Sequence, residues 1–274
     1  MAQRVALITG ASAGIGAAFA RSLAEQGHDL VLTARRADRL EARAATLKAS
    51  HGIRVLIVPA DLFRPGAASR IHEAALAAGM APDILINNAG YGISDAFSDR
   101  PWTDHGAFIQ VMVTAVCEMT HAALPHMVAQ GFGRIVNVAS VAGLLPGSRG
   151  HTLYGASKAF LIRFSEALAL ETEGRNIHVQ ALCPGFTYSE FHDVIGARAE
   201  VSTYPSYMWM TAEDLVARSL RAVEVGEPVL LVPGRFNGLV TTLAKILPHG
   251  ALMALSRNRA RRSEAYKAAR KGEA

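Results

Sequence analysis

The sequence predicts an α/β fold: a doubly wound, seven-stranded parallel sheet with helices on both faces, in a single domain. Three observations carry this expectation. Short runs of Val, Ile and Leu without polar alternation recur along the chain, as in strands buried on both faces of a parallel sheet. Longer helix-like stretches separate them, and regular strand–helix alternation means βαβ units. The chain has 274 residues, 50% of them apolar, which is enough for one large core.

Taken in order, the first run is Val5–Thr9, and the helical stretch Ile15–Gln26 follows it. Leu30–Ala34 precedes Arg39–Ala49, and Val55–Pro59 precedes Ala67–Ala78. After Ile84–Asn87 comes Phe108–Ala129, where Phe108, Met112, Ala115, Met119 and Ala122 fall at helical spacing. Ile135–Ala139 precedes Ala156–Thr172, and Val179–Cys183 and Val229–Val232 complete the sheet. Two regions depart from this rhythm. Region 186–211 holds Phe186, Tyr188, Phe191, Tyr204, Trp209 and other large residues and has no single period. The segment after Pro233 carries an apolar helical face, Leu239, Leu243, Ile246 and Leu247, and then a basic run. The expected division is a Rossmann-type catalytic domain over 1–235, with 186–211 as its lid, and a basic amphipathic C-terminal tail over 236–274.

The formal net charge is +5, and much of it lies in that tail: Arg257, Arg259, Arg261, Arg262, Lys267, Arg270 and Lys271. The charge therefore describes the tail more than the body, and no nucleic-acid partner is expected. An apolar face followed by arginines suits either peripheral contact with an anionic membrane or a helix docked on protein. Two cysteines, Cys117 and Cys183, exclude a disulfide framework and fit a reducing compartment. No signal peptide and no spanning helix are expected, and the expected location is cytoplasmic.

The turn after the first strand reads Thr9-Gly10-Ala11-Ser12-Ala13-Gly14-Ile15-Gly16 and opens a helix. Glycines there permit a tight turn, close approach of a pyrophosphate and close helix packing, and the helix N-terminus offers free N–H groups. The same letters, Gly10-Ala11-Ser12-Ala13-Gly14, also match a hydrolase nucleophile elbow, with His249 as a distant base. Gly16 and the position on the first strand argue against that alternative. The second strand ends Thr33-Ala34-Arg35-Arg36. A carboxylate near that point would bind a ribose 2′-hydroxyl, whereas guanidinium forks match a 2′-phosphate. NADP(H) is therefore the expected cofactor.

These residues resemble the short-chain dehydrogenase/reductase family over about 4–190. The shared motifs, in order, are the glycine turn, Asp61-Leu62, Asn87-Asn88-Ala89-Gly90, Ser140, Tyr154-(x3)-Lys158 and Pro184-Gly185. The resemblance implies hydride transfer between NADP(H) and a carbonyl or secondary alcohol, with Tyr154 as general acid and base. Ser140 would hold the substrate oxygen, in the manner of an oxyanion donor. Lys158 would bond the nicotinamide ribose and, as a nearby cation, lower the Tyr154 pKa. Cofactor contacts are implied for Gly10, Ser12, Gly14, Ile15, Gly16, Arg35 and Arg36. Asp61 and Leu62 would meet the adenine, Asn88, Ala89 and Gly90 the ribose, Pro184 and Gly185 the nicotinamide, and Thr187 the carboxamide or phosphate. A homodimer or homotetramer is implied as well.

The pattern breaks in two places. The family carries an asparagine inside the helix before its Leu-Pro-x-Met element, here Leu124-Pro125-His126-Met127, and Met112 stands at that position. A thioether cannot donate a hydrogen bond, so the usual proton relay is broken or rerouted. Met112 also suits core filling at helical spacing. The Ser140–Tyr154 interval is one residue longer than expected, and His151 within it reads as a loop residue rather than a catalytic one. The scattered histidines predict no metal. The substrate is expected to be an apolar or aromatic small-molecule carbonyl or alcohol, with ketones, aldehydes, acyl chains and sterol-like rings all open. The alternative is a nucleotide-binding regulatory or scaffold protein with the same fold.

Overall fold

The computed structural model describes residues 3–93, 95–189 and 204–258. Positions 190–203 of the expected lid, with Phe191, lie outside the described residues, as do Arg259, Arg261, Arg262, Lys267, Arg270 and Lys271 of the tail.

The main sheet contains β1 (Val5–Thr9), β2 (Asp29–Thr33), β3 (Val55–Ile57), β4 (Ile84–Asn87), β5 (Gly133–Val138), β6 (Ile177–Leu182) and β9 (Leu230–Leu231). Its order is β3-β2-β1-β4-β5-β6-β9, and each neighbouring pair is parallel. A second ribbon pairs β7 (Phe186–Thr187) with β8 (Trp209–Met210) inside the expected lid region. The helices are α1 (Gly14–Glu25), α2 (Ala37–His51), α3 (Ala67–Ala77), α4 (Trp102–Ile109), α5 (Ala115–Gln130), α6 (Thr152–Glu171), α7 (Ala212–Val225) and α8 (Arg235–Ile246).

Side chains alternate across a strand, so each strand feeds two cores. Ala6 and Ile8 of β1 pack with Leu30, Leu32 and Ile86 against α1 and α7. Leu7, between them, packs with Val31, Leu85 and Ile135 against α3 and α5. Both faces are apolar, which is why the strands read as unbroken apolar runs. At the middle of the sheet, buried polar groups are paired across elements. Asn87 Nδ2 donates to Thr120 Oγ1 at 3.1 Å and to Asn137 Oδ1 at 2.9 Å, and Asn137 Nδ2 donates to Ser165 Oγ at 2.9 Å. Unpaired, such amides would be costly to bury.

The expected helix 108–129 differs in detail. It begins at Trp102, after Pro101 sets an extended N-cap, and a π turn at Gln110–Thr114 divides it. A π turn holds one extra residue, so the apolar stripe shifts phase after Met112. The buried positions are then Met119, Ala123 and Met127, and Ala122 is no longer among them. Residues 102–130 are long and apolar enough by composition to cross a membrane. Here that stretch packs on α3 and the sheet as a core helix.

The strand order reverses between β1 and β4. Connections leave these two strands in opposite directions, so a crevice opens at their carboxyl ends.

Candidate active site

The crevice is built first by the turn after β1. Gly10 and Gly14 have φ values of +68° and +53°, which L side chains rarely adopt. Gly16 is required for a different reason: a Cβ there would lie 2.4 Å from the Gly10 carbonyl oxygen and 2.5 Å from Asn88 Nδ2. The N-cap residue Ala13 makes no side-chain capping bond, and the first turn of α1 holds no acidic residue. Gly14 and Ile15 therefore present open N–H groups and the positive dipole end to the cavity. Thr9 and Asn88 lock this turn onto β4. Asn88 and Ala89 donate their backbone N–H groups to Thr9 Oγ1 at 2.9 and 3.0 Å, and Asn88 Nδ2 donates to the Thr9 carbonyl at 2.9 Å.

One end of the cavity is basic. Arg36 Nη2 donates to Ser12 Oγ at 3.2 Å, which joins the end of β2 to the glycine turn. Arg35 lies with its guanidinium 5.6 Å from the centre of the Phe63 ring. Asp61 accepts from the Phe63 backbone N–H at 3.2 Å. The open helix N-terminus, the two exposed arginines and this floor together fit a phosphorylated dinucleotide.

At the other end, β5 delivers Ser140 and α6 delivers Tyr154 and Lys158. Ser140 caps the turn Val141–Gly143 by accepting from the Ala142 N–H at 3.1 Å. Its hydroxyl is also hydrogen bonded to the Tyr154 side chain. Enclosure raises the Tyr154 phenol above its ordinary pKa, and the Ser140 hydrogen bond opposes that rise. Lys158 is buried, and burial lowers it to about 8. Its Nζ donates to the Val138 carbonyl at 2.7 Å and lies 5.8 Å from the centre of the Tyr154 ring. The expected lowering of Tyr154 by Lys158 does not appear among the influences on the phenol here: burial dominates, and the opposing interaction is the Ser140 hydrogen bond. Cys183 sits behind this group, its thiol pushed up to about 12 by burial, so it stays neutral filler.

Ser140, Tyr154, Lys158 and every candidate cofactor residue except Gly16 border one cavity of about 1200 Å³. Gly16 packs beneath it. Pro184, Gly185 and Thr187 border it too, with Thr187 Oγ1 bonded to the Gly185 carbonyl at 3.3 Å. Met112 lies in the π turn at the cavity wall, and a Cβ on Gly90 would come within 3.1 Å of its sulfur. His151 also faces the cavity, 6.4 Å from Tyr154 between ring centres, with Nδ1 3.2 Å from the Ile93 carbonyl. Among the described residues, no group of three or more His, Cys, Asp or Glu is placed to hold a metal.

Sequence reasoning missed the contribution of α8. Asn237 presses on Gly185, where a Cβ would meet the amide at 2.4 Å, and Val240, Leu243 and Leu247 continue along the same wall. Helical spacing after Pro233 gave an amphipathic segment, but nothing local says where it docks. Within region 186–211, Trp209 lies 5.3 Å from Phe186 and 4.8 Å from Tyr188, between ring centres.

Comparison with known proteins agrees with this geometry. The short chain dehydrogenase family matches residues 4–199. An oxidoreductase of Myxococcus xanthus is 31% identical over 257 residues, which is 94% of this chain and 98% of the relative. A short-chain dehydrogenase from Sphingobium yanoikuyae, solved in complex with NADPH, aligns with a TM-score of 0.77 at 34% identity, covering 90% of this chain and 96% of its own. The bulky-bulky ketone specific alcohol dehydrogenase from Comamonas testosteroni aligns with a TM-score of 0.74 at 31% identity, covering 91% and 96%. Sheet order, glycine turn and family match coincide, and the chain belongs to the short-chain dehydrogenase family of oxidoreductases.

Proposed function

We propose that the protein reduces or oxidises at a carbonyl or secondary alcohol carbon with NADP(H), and that its substrate is apolar or aromatic. The observation that carries this reading is the Ser140–Tyr154 hydrogen bond, set in the same cavity as the glycine turn and Arg36. When bound, NADPH supplies the hydride. Gly14 and Ile15 would meet the pyrophosphate, Arg35 and Arg36 the 2′-phosphate, and Pro184 and Gly185 the nicotinamide. The NADPH bound by the Sphingobium relative supports this choice of cofactor.

Each residue then has a physical task. Ser140 donates to the substrate oxygen and holds it beside Tyr154. Tyr154, kept protonated by its enclosure, gives its proton to that oxygen as the carbon is reduced, and takes it back in the reverse direction. Lys158 lies one turn along α6 from Tyr154 and holds or releases a proton near neutrality, because burial brings it to about 8.

The test is NADPH consumption across a panel of ketones and aldehydes, with Tyr154→Phe as control. The wild type turns over at least one of them, and the variant binds NADPH without turnover. Full activity in Tyr154→Phe would remove the proposal. A second reading, a nucleotide-binding protein without turnover, is favoured by one feature, the apolar Met112 at the cavity wall. NADPH binding with no consumption across the whole panel would select it.

A further inference from the structure

We propose that the substrate is elongated: a ketone or aldehyde whose polar head meets Ser140 and Tyr154 and whose alkyl chain lies along α8 and the helical segment 249–258. This rests on the proposed carbonyl chemistry and adds the shape of what is reduced. Three observations carry it. The first is the direction of α8. Its N-terminal end is fixed at the reaction end of the cavity, because Asn237 packs on Gly185 and donates Nδ2 to the Pro233 carbonyl at 2.8 Å. From Asn237 to Ile246 the helix axis then advances about 13 Å at roughly 1.5 Å per residue, and Leu247 follows it.

The second observation is the chemistry of that wall. Val240, Leu243, Ala244 and Leu247 border the cavity on successive turns, and Leu252 and Leu255 extend it. Arg235 and Lys245, the charged residues of α8, do not border it. A small polar carbonyl would need no such lining.

The third is exposure. Leu243, Leu247 and Leu255 are 43, 39 and 58% exposed, although they face the same cavity as Tyr154. Apolar surface left open around a cavity is one form a ligand groove takes. The cavity of about 1200 Å³ also exceeds the usual range for a single drug-sized ligand.

The experiment measures calorimetric Kd values of 2-butanone, 2-octanone and 2-dodecanone for the full-length protein saturated with NADP+, which cannot reduce them, and their turnover separately with NADPH. Affinity is expected to rise up to about fourfold for each methylene that becomes buried. Ala244→Trp, which obstructs the wall midway, flattens the series beyond the short ketone. Leu247→Asp, at an exposed position, does the same without disturbing the core. Lys245→Ala, on the same helix but off the wall, leaves the series rising. A flat wild-type series overturns the proposal, and so does a rising series that neither wall variant alters. A rising series without reduction of any ketone would count against the carbonyl chemistry while leaving the elongated groove standing.

Discussion

Lys158 donates its Nζ to the backbone carbonyl of Val138 at 2.7 Å, so β5 rather than Tyr154 holds the lysine. Burial places its pKa near 8, below the ordinary 10.5. Below pH 8 the folded protein therefore carries a buried charge that the unfolded chain would solvate. Between pH 8 and 10.5 the unfolded chain binds a proton that the folded one releases, so this lysine makes stability rise with pH across that window. The charge costs up to about 3 kcal/mol at neutral pH. Lys158→Met is expected to abolish turnover yet raise the neutral-pH Tm by several degrees, after about 1 kcal/mol is lost with the Val138 hydrogen bond. Its melting curves should also lack the rise above pH 8. An unchanged pH dependence of Tm would show that burial does not set this lysine's charge.

The Ser140 hydrogen bond is the interaction that restrains the upward shift of Tyr154. Ser140→Ala is expected to lower kcat for reduction by about 100- to 1000-fold, the usual loss for one oxyanion donor. It should also move the alkaline limb of the pH–rate profile upward, because the phenol loses the partner that holds its pKa down. NADPH affinity should stay unchanged. A lower kcat with an unmoved alkaline limb would reduce Ser140 to a substrate contact, with no hold on the tyrosine.

The parts of this molecule that were legible in the sequence are those whose cause is local. The strands were legible because burial on both faces makes Leu30–Leu32 and Ile84–Ile86 uniformly apolar. The glycine turn was legible because φ values above +50°, as at Gly10 and Gly14, strongly favour glycine. What was not legible depends on distant neighbours. The π turn at Gln110–Thr114 changes the phase of a helix whose residue pattern looks continuous. The position of α8 against Gly185 is a docking event between segments about fifty residues apart. The rise in the Tyr154 pKa follows from enclosure, which spacing from Lys158 does not report.

Arg36 and Ser12 join at 3.2 Å across the gap between β2 and the glycine turn, where a 2′-phosphate would lie. A guanidinium hydrogen bond to a charged group contributes roughly 1.5–3 kcal/mol. Arg36→Ala is therefore expected to weaken NADPH binding by about 10- to 100-fold and leave NADH binding nearly unchanged. Fluorescence titration with both cofactors checks it. Equal losses for the two would mean that Arg36 supports the turn itself and does not read the phosphate.

Met112 occupies the π turn with 1% of its surface exposed, its sulfur against Gly90. It faces the cavity that also holds Tyr154 and Lys158. A thioether there can pass no proton, while an amide of similar length could donate and accept. Met112→Asn buries a new polar group and is expected to lower stability by about 1–3 kcal/mol. If protons reach Tyr154 through this wall, the same variant raises kcat several-fold and shrinks the solvent deuterium effect on kcat, without changing KM. The pairing of those results matters, because a loosened fold alone would lower Tm and leave the isotope effect where it was. Gly90→Ala separates the two further. Its Cβ pushes on the Met112 sulfur, so it should destabilise the wild type and be tolerated better once Met112→Ala has removed the sulfur. An isotope effect that does not respond to Met112→Asn would leave Met112 as packing, and proton resupply would then run on the Ser140 side of the cavity.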